Sequence, residues 1–425
     1  MAPQVPWPLD VGSKIRIYNL LISYAQLGPV TLVCFSQDPA DLLAVSNLDS
    51  IVESIHCIAL TEDEPRMSAG KLGALARALL PNPKIVRHFR RAGMEKKIKM
   101  LMENDDFDIL HVERLFMVEN VRGLLPRASI GRNLLTVLDM DDIESSKALR
   151  LQGSQSWRSP RKLLLLLEYL KLWSYERRIL PLFDLALVCS RADQHQVAAR
   201  RRPHRAPAIE VFCNGADIDG PQGADGDSRT LLFFGALNYQ PNEDAALHFA
   251  SVIFPLVKRS VADARFVIAG KAPSNALYAL HNGRDVVVSG YVNDKRTLFA
   301  SATVIVVPIR VGGGTRIKIL EAMAAGKPVV STTVGCEGIE VTPRVDILVA
   351  DSPQEFADAC IELLRSEAKG RSIGEAGRRL VAQKYRWQQI REGFASSISA
   401  RLGDRGEFGA TNPEMPSGAG PLERS

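Results

Sequence analysis

Three consecutive glycines, Gly312, Gly313 and Gly314, run into Thr315-Arg316-Ile317-Lys318 and give the 425-residue sequence its strongest chemical signal. Residues without a Cβ let backbone N–H groups come close to an anion. A helix that starts just after them adds free amides and the positive end of its dipole, which together suit a diphosphate. Arg316 and Lys318 fall in the first turn of that helix. A cation there opposes the dipole, so the placement makes sense when an anion is bound between the two. A tight turn with two solvated charges is the plainer alternative. One turn further, Glu321 suits the paired hydroxyls of a ribose, as the acid does in dinucleotide folds. A surface glutamate explains it equally well when it is taken alone.

Two more groups carry polar chemistry. Asp108-Ile109-Leu110-His111-Val112-Glu113-Arg114 closes an apolar run with polar residues. His111 or Glu113 is a candidate to orient or deprotonate an acceptor hydroxyl, against a structural hydrogen bond as the alternative. Asp139-Met140-Asp141-Asp142 has carboxylates spaced to hold Mn²⁺ or Mg²⁺ on a sugar diphosphate. That use belongs to a single-sheet fold and leaves residues 235–338 unexplained, so a place on the lining of a cleft is preferred.

These groups sit at the ends of apolar runs. The strand candidates are Val30–Phe35, Cys57–Leu60, Asp108–Val112, Leu134–Asp139, Leu185–Cys189 and Ile209–Cys213 in the first half. In the second half they are Leu231–Gly235, Phe266–Gly270, Val286–Gly290, Val304–Pro308, Pro328–Ser331 and Ile347–Val349. Nearly all-apolar strands separated by helical patterns read as parallel sheets covered on both faces. The order argues for two doubly wound α/β domains facing a central cleft. The first is read as 1–213 and the second as 214–402, with the last helix crossing back to the first and a disordered tail over 403–425. The first half should open on a strand. Pro6–Ser13 already reads as the loop before a helix over Lys14–Leu27, so that strand is expected to be missing.

Composition removes several classes. An apolar share of 46% with 24% charged residues describes an ordinary globular chain with a sizeable core. A net charge of +5 is too mild for a nucleic-acid binder, so phosphate chemistry should be local. Six scattered cysteines without a C-x-x-C pair suggest neither a zinc site nor a disulfide framework, and fit reduced thiols in a cytosol. No apolar stretch approaches a membrane span, and Met1–Asp10 lacks the features of a secretory signal. Lys84–Met100 and Arg158–Arg178 are basic and amphipathic, suited to an anionic membrane surface or to a solvated face over core leucines.

Taken together, the segments resemble a family. The strand, the Gly-rich loop, Glu321-Ala-Met-Ala, Gly326–Thr332 and Gly335-x-x-Gly338 look like the donor half of family-four, GT-B glycosyltransferases. Phe234–Ala245, Ile268–Pro273, Val288–Val292 and the junction Asn214-Gly215-Ala216-Asp217 are similar to that family's segments in the same order. Pro8–Asn19 resembles the acceptor-half loop that faces the donor phosphates.

The resemblance implies the GT-B fold and a retaining, metal-independent transfer from a nucleotide-diphosphate sugar to a sugar or lipid-linked hydroxyl, in exopolysaccharide, cell-wall or glycolipid assembly. It implies no resident cofactor and a cytoplasmic location, with peripheral contact at the inner face of the membrane as an option. Donor-binding positions carried over are Gly12, Ser13, Lys271, Tyr291, Val292, Gly312, Gly313, Gly314, Thr315 and Glu321; the catalytic candidates are Arg316, Lys318, His111 and Glu113. Two departures stand out. Many members have a second glutamate eight residues before Glu321, where this chain has Gly313, and an Arg and a Lys in the loop that here is Gly235–Asn242. Arg316 and Lys318 are read as supplying that charge from the opposite loop. A catalytically silent nucleotide-sugar binder and a sugar-nucleotide epimerase are the alternatives.

Overall fold

The computed structural model describes residues 1–60, 80–125, 134–153, 160–200, 206–217, 229–292 and 294–403. Three parallel sheets, grouped in two layers, organise them. The second is a six-stranded layer in the order β12-β11-β10-β7-β8-β9, built from β7 (Thr230–Phe234), β8 (Arg265–Ala269), β9 (Val286–Gly290), β10 (Val304–Val307), β11 (Val329–Ser331) and β12 (Leu348–Val349). Every residue of β7 and β10 is buried, which is what helices on both faces of a central parallel strand require. All strands run the same way, so their carboxyl ends and the loops that follow share one edge.

The N-terminal half holds β1 (Thr31–Ser36) paired with β2 (Ser54–Ala59), and a four-stranded run of β3 (Ile109–Glu113), β4 (Leu135–Met140), β5 (Leu185–Val188) and β6 (Ala208–Val211). No strand lies between them among the described residues, but the first two residues bridge the gap. Ala2 pairs in parallel with Cys34, its N–H donating to Val33 O at 2.9 Å, and Glu113 N–H donates to Met1 O at 3.0 Å. Two residues thus hold the place of a central strand, too few to show as a periodic apolar run. Two separate doubly wound layers also exclude the single-sheet alternative for the Asp139–Asp142 motif.

Helix Ile317–Ala324 buries Ile319, Leu320, Ala322, Met323 and Ala324 in the core of the second half, while Ile317 faces Gly12 of the first. Gly326 stops the helix in the left-handed region (φ 70°), and Lys327 N–H returns to Ala322 O at 3.0 Å. The last helix, Trp387–Gly403, packs on helix Gly12–Ala25 of the N-terminal half; Arg391 donates to Asn19 and Ser397 to Glu210. No helix among the described residues is long and apolar enough to cross a membrane. The tail from 404 onward lies outside the described residues.

Candidate active site

The loop after β10 is held from both halves of the molecule. Arg150, on helix Glu144–Gly153 of the N-terminal half, donates to Gly312 O at 2.7 Å and grips Glu337 with two nitrogens. Arg316 turns back under the loop and donates to the carbonyls of Gly313 and Gly314, leaving Nη2 buried with no partner. Asp142 enters from the opposite side. A Cβ on Gly314, whose φ is 71°, would stand 2.5 Å from Asp142 Oδ1, and one on Gly313 would stand 3.3 Å away. The glycines therefore serve the closeness of the two halves as well as the conformation of the loop. Thr315 is buried, and its Oγ1 has no hydrogen-bond partner.

Lys318 reaches across from the helix to the loop after β7. Its ammonium donates to Asn242 Oδ1 at 2.8 Å, sits 4.3 Å from the centre of the Phe233 ring, and lies 2.8 Å from where a Cβ on Gly235 would be. The cation absent from the sequence of Gly235–Asn242 is thus present there in space. Burial, with repulsion from Arg316, lowers its pKa to about 7; Glu321 opposes the shift. Burial by itself would raise the Asp142 carboxyl, but Arg114, Lys147 and Arg316 hold it down at about 2, so it is ionised at neutral pH.

The two halves also meet at their helix starts. A Cβ on Gly12, the first residue of helix Gly12–Ala25, would lie 3.3 Å from Ile317 Cδ1. Two positive dipole ends therefore converge on one region of the cleft. Ser13 Oγ accepts from Gln4 at 2.8 Å, and Lys271 pairs across the cleft with Asp10 at 3.2 Å. Tyr291 is about half exposed and Val292 leans on the core of the second half. A cleft of about 270 Å³ lies between the halves, lined by Tyr18, Asn19, Lys295, Glu321, Trp387 and Arg391 among others. Glu321 is paired there with Lys295 at 2.5 Å. Lys295 was not legible as a site residue, since nothing in the local sequence links it to a glutamate 26 positions away.

His111 and Glu113 lie elsewhere than the cleft mouth expected of them. Glu113 is 1% exposed, and burial followed by the Asp139 charge raises its pKa. His111 faces Tyr24, whose hydroxyl lies 2.9 Å from Nδ1, and burial lowers its pKa to about 3. Their ligand atoms and those of Asp139 lie within 4.8 Å of one another. Both Asp139 oxygens already accept from Arg16, at 2.6 and 2.7 Å, and that guanidinium also donates to Phe212 O. A buried ion pair fills this cluster and joins the first helix to the end of the N-terminal half. Arg16 was missed because a lone arginine at helical spacing looks like a solvated charge.

Two facing doubly wound halves with a glycine-rich loop at their cleft define the GT-B architecture. The solved structures agree: sucrose-phosphate synthase of Thermosynechococcus elongatus superposes with a TM-score of 0.68 at 15% identity, over 95% of this chain and 98% of that one. HepE of Anabaena, solved with UDP, gives 0.64 at 15% identity over 94% and 98%, and TarM gives 0.65 at 11% over 93% and 97%. Residues 228–366 match the family described as "Glycosyl transferases group 1". An uncharacterized glycosyltransferase of Methanocaldococcus jannaschii is 29% identical over 184 residues, 40% of this chain; the match spans 44% of that relative, less than half its length. Residues 228–366 are thus similar to the group 1 glycosyltransferases, and the chain as a whole has the GT-B fold.

Proposed function

We propose that the protein transfers a sugar from a nucleotide-diphosphate donor to the hydroxyl of a sugar or lipid-linked acceptor, with retention, in the assembly of a surface polysaccharide, cell wall or glycolipid. The observation that carries the reading is the convergence of Lys318, Arg316 and two helix starts on one cleft, where a leaving diphosphate needs positive charge. That charge and the loop amides serve the departing group, and we propose transfer without a metal or resident cofactor.

Arg316 would exchange its loop carbonyls for phosphate oxygens through the unpartnered Nη2. Lys318 would bridge from the Gly235 loop, and Gly12, Ser13, Gly312, Gly313, Gly314 and Thr315 would present amides or hydroxyls. Glu321, steadied by Lys295, would take the ribose, with Tyr291 and Val292 beside the base and Lys271 adding charge at the rim. His111 and Glu113 hold the Asp139–Arg16 pair beneath the cleft and position the first helix; the N-terminal cleft wall takes the acceptor. The bound donor has support from HepE, which was solved with UDP and with UDP-glucose.

Incubation of the purified protein with a panel of nucleotide sugars, with and without acceptor glycosides, tests this. Release of nucleoside diphosphate with an axial-to-axial product is expected. Binding without turnover, or an epimerised donor formed without acceptor, overturns it. Arg316→Ala and Lys318→Ala should each weaken donor binding about tenfold or more, the size of a lost charge-assisted hydrogen bond. Unchanged affinity, read by titration calorimetry, removes the clamp.

A further inference from the structure

Cys34 and Cys57 are register partners on the parallel strands β1 and β2, and their sulfurs lie 3.8 Å apart. They are 23 positions apart in the chain, so no local spacing announces the pair. The register is fixed by residue pairs running from Thr31 with Ser54 to Ser36 with Ala59, and the Ser54 hydroxyl donates to Thr31 Oγ1 at 3.0 Å. Paired residues of neighbouring strands point to the same face, and the strands stand roughly 4.8 Å apart. That spacing falls within the Cα separations of roughly 4.4–6.8 Å that a disulfide spans. A slip by one residue would carry Cys57 to the other face. Of the remaining cysteines, Cys189 donates to Asp141 O at 3.0 Å and Cys336 to Thr333 O at 3.6 Å. None of them has another sulfur in contact among the described residues.

The two thiols differ in the way that exchange requires. Cys34 is fully buried in a cluster with Ala2, Val5, Ile17 and Leu21, while Cys57 is half-buried at its edge. The Cys34 thiol donates to the Cys57 sulfur, and that hydrogen bond lowers Cys57 to about 7, against burial and the Asp41 charge. The same hydrogen bond, with burial, pushes Cys34 up. A sulfur of the first kind is about half thiolate at neutral pH and attacks an external disulfide. A buried, protonated thiol serves as the second, intramolecular nucleophile. Asp41 belongs to the short helix Pro39–Ala44, which buries none of its residues, so the pair is thinly covered on that side.

We propose that Cys34 and Cys57 form a reversible redox site that closes to an intrachain disulfide by exchange with a small disulfide of the glutathione type. The Cys57 thiolate attacks one sulfur of the oxidant and releases the first glutathione, which leaves a mixed disulfide. Cys34 then attacks the Cys57 sulfur, and the second glutathione departs. Two protein thiols are oxidised, one disulfide is reduced, and the two thiol protons end on the two released glutathiones. The bond ties β1, which Ala2 extends on its other side, to β2 in the cluster that Ile17 and Leu21 of helix Gly12–Ala25 also join. Neither donor nor turnover enters, so the site stands or falls apart from the transferase reading.

The full chain held natively in oxidised glutathione, quenched with N-ethylmaleimide and mapped by mass spectrometry, tests it. Two of the six thiols should be lost, in one linked peptide pair joining Cys34 to Cys57, and dithiothreitol should restore both. Cys34→Ala should stop at the mixed disulfide and accumulate glutathione on Cys57. Cys34→Val, which keeps the volume of the buried site, should give the same adduct, and Cys57→Ala should take up none on Cys34. Each variant should keep the circular dichroism of the wild type. A wild type that retains all six thiols, or one that holds glutathione on Cys57 without closing, overturns the proposal. So does a link between any other two cysteines, or a Cys34–Cys57 link that forms only in denaturant.

Discussion

Lys318 is a lysine whose ionic state falls within the physiological range, and that makes it the most sensitive residue in the cleft. Its free-state pKa of about 7 is set first by burial. An anion bound beside it favours the charged form and raises that pKa. The binding energy from this pair is therefore complete below about pH 7 and fades as pH rises through the bound-state value. Donor affinity should fall between pH 7 and 9, with proton uptake on binding near pH 8, both measurable by calorimetry in buffers of different ionisation heat. Lys318→Met should flatten the profile. The same shift destabilises the free protein in the opposite sense. The unfolded chain binds the proton up to about 10.4, so the cost of burying this lysine is greatest below pH 7 and vanishes toward pH 10. Lys318→Met should raise the unfolding midpoint more at pH 6 than at pH 9.

At the scale of the element, the loop after β10 is shaped by what lies on either side of it. Gly314 carries a positive φ and has Asp142 within 2.5 Å of its absent Cβ. Gly314→Ala should cost about 1–3 kcal/mol through backbone strain and displacement of Asp142. Pairing it with Asp142→Ala should recover the steric part alone, so the two effects should be non-additive in thermal unfolding. The order of strands and the stop of helix Ile317–Ala324 at Gly326 were readable locally, because apolar runs and a helix-ending glycine act over a few residues. Met1–Ala2 was not, since two residues in a sheet carry no periodicity.

Over the whole molecule, the cleft is closed by ties between halves. Arg150 joins Gly312 and Glu337, Lys271 joins Asp10, and Arg191 joins Glu340 at 3.4 Å. The Arg150–Glu337 pair is about one-third exposed, which limits its share of stability. Its effect should appear in the geometry of closure. Arg150→Ala and Glu337→Ala should each raise the donor KM with a smaller change in unfolding midpoint, and the double variant should match either single one. Solution scattering should show a larger radius of gyration for each. Additive effects on KM would mean that the two residues act separately.

By itself the sequence determined two parallel α/β layers, a glycine-rich loop before a helix and a resemblance to a family, because each is written within a short span of residues. Those signals depend on backbone freedom, apolar periodicity and helix ends, which are local physics. Only the tertiary structure decided which charges meet. It placed the Lys318 ammonium at the loop after β7, Asp142 against Gly314 and Lys295 on Glu321, and it buried Glu113 and set His111 against Tyr24. Burial and charge pairing depend on distances between segments far apart in the chain, and no local pattern carries them.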